Sequence, residues 1–189
     1  MKKILLYIVI VMSLMSSQAM ALEQGDKEQF IKNAKTYLLA HNMRTFNVVM
    51  QYVSPKVLET IAQDNKLSLA NLTSIIPDNL RNEALKGKKT NYVGNFEKIE
   101  SQELGTILVV TIPMNYDVVD KDGKNIRLKN QLIGMKTEGK WYFINSDELS
   151  LLDYYKKAYP ELVNLKLAKL DFEFLDPEFD MKKGKFASP

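Results

Sequence analysis

A single histidine, His41, stands in a sequence of 189 residues that contains no cysteine. Those two facts remove thiol nucleophiles, zinc–thiolate sites, iron–sulfur clusters, disulfides and any metal centre built from several imidazoles. A Ser-His-Asp triad would have to use His41, and no G-x-S-x-G turn is present to carry its serine. His41 ends an apolar stripe at helical spacing, so a packed, structural histidine is favoured over a catalytic one. Gly134, Gly139 and Lys140 have the spacing of a phosphate-binding loop. Trp141 stands where that loop needs Ser or Thr, and the segment joins two expected strands instead of leading into a helix, which excludes the loop. Asp120-Lys121-Asp122-Gly123 resembles the start of a calcium loop, but its twelfth position is Gln131, not a bidentate Glu. A hairpin turn is the simpler reading. Asp176, Glu178 and Asp180 alternate beside Pro177, Lys182 and Lys183 and read as a solvated tail, not a metal site. The 23 acidic residues include no pair that spacing singles out for acid–base work. No motif calls for a cofactor.

The elements that must position these residues come from composition and period. With 46% apolar, 26% charged and 10% aromatic residues, the chain suits one domain with its own core and is neither disordered nor collagen-like. Residues 1–21 combine Lys2-Lys3, an apolar run from Ile4 to Met15 and Ala19-Met20-Ala21, the layout of a secretory signal. The run is too short to span a membrane as a helix. Cleavage after Ala21 would start the mature chain at Leu22, in a bacterial periplasm or outside the cell. Without Lys2 and Lys3, the 26 basic residues become 24 against 23 acidic ones, so the formal charge of +3 falls to +1 and is no argument for nucleic acid.

Asp26 and Gln29 form a capping-box variant, and Phe30, Ala34, Leu38 and His41 follow on one helical face. Phe46, Val49, Met50 and Val53 make a second stripe. Ser54-Pro55 starts another helix that carries Leu58, Ile61 and Ala62 inward. Ser68 to Ile76 predicts a short helix stopped by Pro77, and Asp78 caps a last one that Gly87 ends. The period then changes. Tyr92–Ile99, Thr106–Val118, Ile126–Thr137 and Trp141–Asn145 read as four strands, with Asp122-Gly123 and Glu138-Gly139 as turns. Helices followed by an antiparallel meander define an α+β domain over residues 22–149.

Faces can be assigned as well. Arg127, Lys129 and Gln131 share one face of the third strand, against Leu128 and Leu132 on the other. The second strand is apolar on both faces: Leu108, Val110, Ile112 and Met114 on one, Ile107 and Val109 on the other. The N-terminal helices cover one face. Residues 150–189 begin as a helix with Leu151, Leu152, Tyr155 and Ala158, break at Pro160 and end in disorder after about Met181. Val163, Leu165, Leu167, Leu170, Phe172 and Phe174 are the expected cover of the far face, with a homodimer through the sheet as the competitor.

The helical first half, the meander and Gly139-Lys140-Trp141-Tyr142-Phe143-Ile144-Asn145 resemble the nuclear-transport-factor-like, or ketosteroid-isomerase-like, superfamily of cystatin-like α+β proteins. There a curved sheet wraps a long helix into a cone. A closer similarity is to uncharacterised secreted bacterial proteins of this build. It rests on Tyr52-Val53-Ser54-Pro55-Lys56-Val57, Val109-Val110-Thr111-Ile112-Pro113, Trp141 to Ile144 and Tyr159-Pro160-Glu161-Leu162. Ser54 stands where that group has His, and Asp64-Asn65 where it has a Gly pair. The resemblance implies a fold and an address but no activity. Isomerase relatives place an acidic residue soon after the second helix, where this chain has none before Glu59.

The candidates to line a pocket at the cone mouth are His41, Tyr92, Phe96, Tyr116, Asp117, Asn130, Trp141 and Phe143. The expected function is a non-enzymatic, secreted binding or protein-interaction module for a small apolar ligand or a protein, an immunity or inhibitor type being one form. The alternative is a small isomerase- or dehydratase-like enzyme with Tyr116, Asp117 and His41 as its acid–base groups.

Overall fold

The computed structural model describes residues 22–86, 89–120, 122–175, 179–180 and 185–186. The proposed leader, the helix stop at Gly87, Lys121 of the calcium-like turn, and Asp176 and Glu178 lie outside the described residues, and of the end expected to be disordered after Met181 only residues 185–186 are described, as a short paired strand. The architecture is α+β: helices first, then an antiparallel sheet curled into a half-barrel, then a helix and an extension.

Helix α1 (Gln24–Asn42) starts before the expected cap, and its N-terminus has no side-chain cap bond. Asp26 instead accepts from Lys136 Nζ at 2.5 Å and ties the helix to the sheet. Phe30, Ala34, Tyr37, Leu38 and His41 form its buried stripe. Arg44, at φ 56°, makes the tight link to α2 (Phe46–Met50). Helix α3 (Pro55–Asp64) begins at Pro55 as expected, but the Ser54 hydroxyl does not cap it. That hydroxyl lies 2.7 Å from the Tyr159 hydroxyl, and the Ser54 N–H donates to Tyr155 Oη at 3.2 Å.

Where two short helices were expected, α4 (Leu69–Lys86) runs unbroken through Pro77. Proline holds a helical φ but forfeits the bond to the residue 73 carbonyl and crowds that carbonyl with its ring. Leu72, Ile76 and Leu80 pack inward along the helix, and that burial outweighs the lost bond. Asp78 is no cap: it pairs with Arg81 at 2.7 Å.

The sheet is built on a long hairpin of β3 (Ile107–Val119) and β4 (Asn125–Thr137), in register from Leu108↔Lys136 to Val119↔Asn125. The expected first strand is two pieces, β1 (Thr90–Gly94) and β2 (Glu100–Leu104), which share the outer edge of β3. Pro113 lies at the gap: β2 pairing stops at Thr111 and β1 pairing resumes at Met114. Proline has no N–H to offer the ladder, so the neighbouring strand loops out, with Asn95 N–H donating to the Pro113 carbonyl at 2.8 Å. On the other side, β5 (Lys140–Asn145) and β6 (Asp171–Phe174) share the outer edge of β4. The tight β4–β5 turn needs φ 52° at Glu138 and 74° at Gly139. Among the described residues two short strands, β7 (Phe179–Asp180) and β8 (Lys185–Phe186), pair only with each other.

Both faces of the sheet are covered. On the inner face α1 and α2 pack on Val110, Ile112, Met114, Tyr116, Leu132, Trp141 and Phe143. Phe30 lies directly on the β4 backbone, where a Cβ at Gly134 would come within 2.6 Å of its ring. On the outer face Ile107, Val109, Ile133, Met135 and Ile144 meet Leu152, Tyr155 and Ala158 of α5 (Leu149–Ala158), then Tyr159 and, in the 3₁₀ turn Pro160–Asn164, Leu162. The C-terminal region is therefore the cover, but the segment expected to supply it is not. Of Val163 to Phe174 only Leu165 and Leu167 pack there, while Val163, Leu170, Phe172 and Phe174 stay exposed. The chain beyond Leu162 goes instead to the sheet edge. Ala168 N–H donates to the buried Gln131 Oε1 at 2.7 Å, and β6 then aligns with Ile126–Lys129.

Candidate functional site

The polar groups of the inner face gather where α1 ends against the far end of the sheet. Asp147 lies in the link between β5 and α5. One of its oxygens accepts from Asn130 Nδ2 of β4 at 2.5 Å and the other from the Tyr116 hydroxyl of β3. Burial, and then this bond, push the Tyr116 hydroxyl pKa far above the phenol range. Tyr92 of β1 stacks on Tyr116 at 4.7 Å and His41 on Tyr92 at 4.8 Å, so His41, Tyr92 and Tyr116 form a column. Lys89 Nζ lies 5.4 Å from the centre of the Tyr116 ring. Asn42, beside His41, locks helix to sheet by exchanging two bonds with the Tyr92 backbone, at 2.8 and 3.0 Å.

On the opposite side of His41 lies a cavity of about 60 Å³. Its walls are apolar, from Val49, Met50, Val53, Leu58, Ile61, Ile76, Leu80, Phe143 and Leu151, and only Tyr37, His41 and Glu148 add polar atoms. Burial lowers the imidazole of His41 to about 4, helped by the charge of Lys89 and opposed by Asp147. Burial raises the Glu148 carboxyl to about 7, helped by the neighbouring Asp147. A bond from Asn145 Nδ2 at 3.0 Å and the charge of Lys89 pull Glu148 the other way without overcoming the apolar walls. Between about pH 4 and 7 both groups are therefore neutral.

The other residues singled out by sequence are spread more widely. Asp117 points to the opposite face from Tyr116. There its carboxylate accepts from Arg127 at 2.8 and 3.2 Å and from Asn91 at 2.8 Å, bonds that hold its pKa low. Phe96 lies in the loop between β1 and β2 with Lys35 Nζ over its ring at 5.5 Å. Trp141 and Phe143 pack with Phe30, Tyr37 and Tyr52 in the aromatic core, and Phe143 alone of the two reaches the cavity. Asp147, Glu148, Asn145 and Tyr37 belong to the site and were not singled out. Their one sequence signal is that the last strand runs directly into Asn145-Ser146-Asp147-Glu148.

Two larger hollows are surface grooves. One of about 350 Å³ runs past Glu23, Asp26, Glu103 and Glu138, with Lys136 at its side. One of about 280 Å³ runs past Gln29, Asn33, Gln51, Tyr52 and Trp141. Among the described residues no group of three or more His, Asp or Glu side chains is placed to hold a metal ion, and no helix is long and apolar enough to cross a membrane. Comparison with protein-family models, with curated proteins and with solved structures finds no match for this chain.

Proposed function

We propose that the chain is a secreted, periplasmic, non-enzymatic binding or protein-interaction module with a cone of the nuclear-transport-factor-like kind. The observation that carries this reading is the filling of the inner face. Aromatic side chains fill the space between α1 and the sheet, and the hollow beside the titratable groups measures about 60 Å³. Small-molecule sites usually need about 300 Å³ or more. The acid–base candidates are also engaged: Tyr116 with Asp147, and Asp117 with Arg127 on the other face. An immunity- or inhibitor-type protein is one form of such a module. A pull-down from periplasmic extract, with metabolite and lipid analysis of the purified protein, tests it. A stoichiometric protein or small-molecule companion is expected, and an empty result from both at high protein concentration overturns the reading.

One observation favours a second reading. A carboxyl poised near neutrality against apolar walls, as Glu148 is, suits proton transfer in an isomerase- or dehydratase-like enzyme. Turnover of a carbonyl compound that is lost in Glu148→Gln would establish it. Absence of turnover across a carbonyl and hydroxy-acid panel would remove it.

A further inference from the structure

Four buried side-chain atoms among the described residues lack a hydrogen-bond partner: His41 Nε2, Asn130 Oδ1, Asn145 Oδ1 and Trp141 Nε1. Trp141 Nε1 is a donor on an indole packed edge-on against Phe30. The other three adjoin the Asp147–Glu148 link, since Asn130 bonds to Asp147, Asn145 bonds to Glu148, and His41 borders the same cavity as Glu148. Two of them are amide oxygens that can only accept, and the third accepts in one imidazole tautomer. Both Asp147 oxygens are already engaged, by Tyr116 and Asn130, so the acceptors left to the cavity are His41 Nε2 and the oxygens of ionised Glu148, which has one donor in Asn145. The site is short of donors. No Lys or Arg nitrogen among the described residues lies within 4.0 Å of Glu148.

A natively folded site with unpaired acceptors, a carboxylate that the charge of Lys89 reaches without an ion pair, and an aliphatic cavity matches one chemistry. We propose that this cavity binds a primary ammonium group on a short aliphatic chain, the ammonium donating to Glu148 and to His41 Nε2 while the chain lies against Val53, Ile61 and Leu80. An ammonium brings three donors, no acceptor and a positive charge in direct contact with the carboxylate, whereas an alcohol brings one donor and a further acceptor. The volume of about 60 Å³, at ~10–15 Å³ for each water-sized occupant, takes about four to six non-hydrogen atoms. A small alkylamine and the lysine side chain of a protein partner share this chemistry. The proposal rests on the binding-module reading and names the ligand class at its most enclosed site.

The test is a titration at pH 8 with n-butylammonium, with N-acetyl-lysine methylamide and with n-butanol as the uncharged control. It is followed by calorimetry and by the imidazole resonances of His41, the only histidine in the chain. At least one amine should bind, with a dissociation constant on the order of 1 mM, and move the His41 resonances. Butanol should bind at least tenfold more weakly, and Glu148→Gln should weaken the amine at least tenfold. Ile61→Phe, which fills the cavity from α3, should block binding by a second route that leaves Glu148 in place. Preference for butylammonium assigns a free amine, and preference for the lysine derivative assigns a partner's side chain. Equal binding of butanol, binding indifferent to Glu148→Gln, or no binding of either amine overturns the proposal. If neither amine binds while the pull-down still captures a companion, this site falls alone and the interaction reading stands.

Discussion

Glu148 and His41 face the same apolar walls and are displaced in opposite directions, so their effects on stability oppose each other. Glu148 binds its proton more tightly folded than unfolded. Its contribution is complete below about pH 4.5 and is lost as pH rises through about 7. His41 binds its proton less tightly folded, so its contribution is complete above about pH 6.5 and is lost as pH falls through about 4. Between those limits the two slopes cancel in part. Glu148→Gln should therefore stabilise the protein at pH 8 by about 1–2 kcal/mol, a figure reduced from the full pKa displacement because the side chain is half-buried. The gain should vanish at pH 4.5. Urea unfolding at the two pH values measures it, and equal effects at both would exclude Glu148 as the source. The clasp at Ser54 gives a second test. Tyr159→Phe leaves a fully buried serine hydroxyl without its partner and should cost about 1–3 kcal/mol by the same assay. His41 was legible as a packed histidine because it ended an apolar stripe. Asp147 and Glu148 were not, because what marks them is the burial given by helices that are distant in sequence.

Leu162 and Phe172 are both large apolar residues of the C-terminal region, yet their surroundings differ. Leu162 is 2% exposed on the outer core, and Phe172 is 54% exposed on an edge strand. Leu162→Ala should cost about 2–4 kcal/mol, while Phe172→Ala with Phe174→Ala should stay within about 0.5 kcal/mol. Thermal unfolding of the two variants decides whether the turn or the strand is the cover. Gly134→Ala is expected to be destabilising by about 1–3 kcal/mol, since its methyl would drive Phe30 from the β4 backbone. The period of two made β3, β4 and β5 legible to within a residue or two, and the division of Val110 and Ile112 from Ile107 and Val109 followed from it. Pro113 carried the signal for the split into β1 and β2, but its meaning depends on which edge of β3 it faces. At Pro77 the local rule for proline lost to burial contributed by neighbours on both sides of it.

At the scale of the molecule, the sheet is enclosed by opposite ends of the chain, α1 on one face and α5 with the 3₁₀ turn on the other. The order of helices and meander was readable from the change of period, whereas the outer cover was expected from Val163 to Phe174 and is supplied by α5 and Leu162. The filling of the space inside the curved sheet by side chains was not readable, because it depends on twist and side-chain volume. A chain of residues 22–148 retains every strand from β1 to β5 but lacks the outer cover. It should show strand-like far-ultraviolet dichroism at most, no fixed aromatic signal and binding of an apolar dye. A cooperative melt of that fragment would contradict the role given to α5. The same enclosure sets a timetable. On any route that delivers the chain from its N-terminus, Ile107, Val109, Ile133 and Met135 emerge well before Leu152 and Leu162 can meet them. Until then the long β3–β4 hairpin carries a bare, strand-rich surface, the kind that associates with other chains. Folding through such distant contacts is slow compared with helix formation. A holding factor that shields the nascent hairpin would raise yield far more than one that speeds any single turn, and that demand arises from topology, whatever the protein binds.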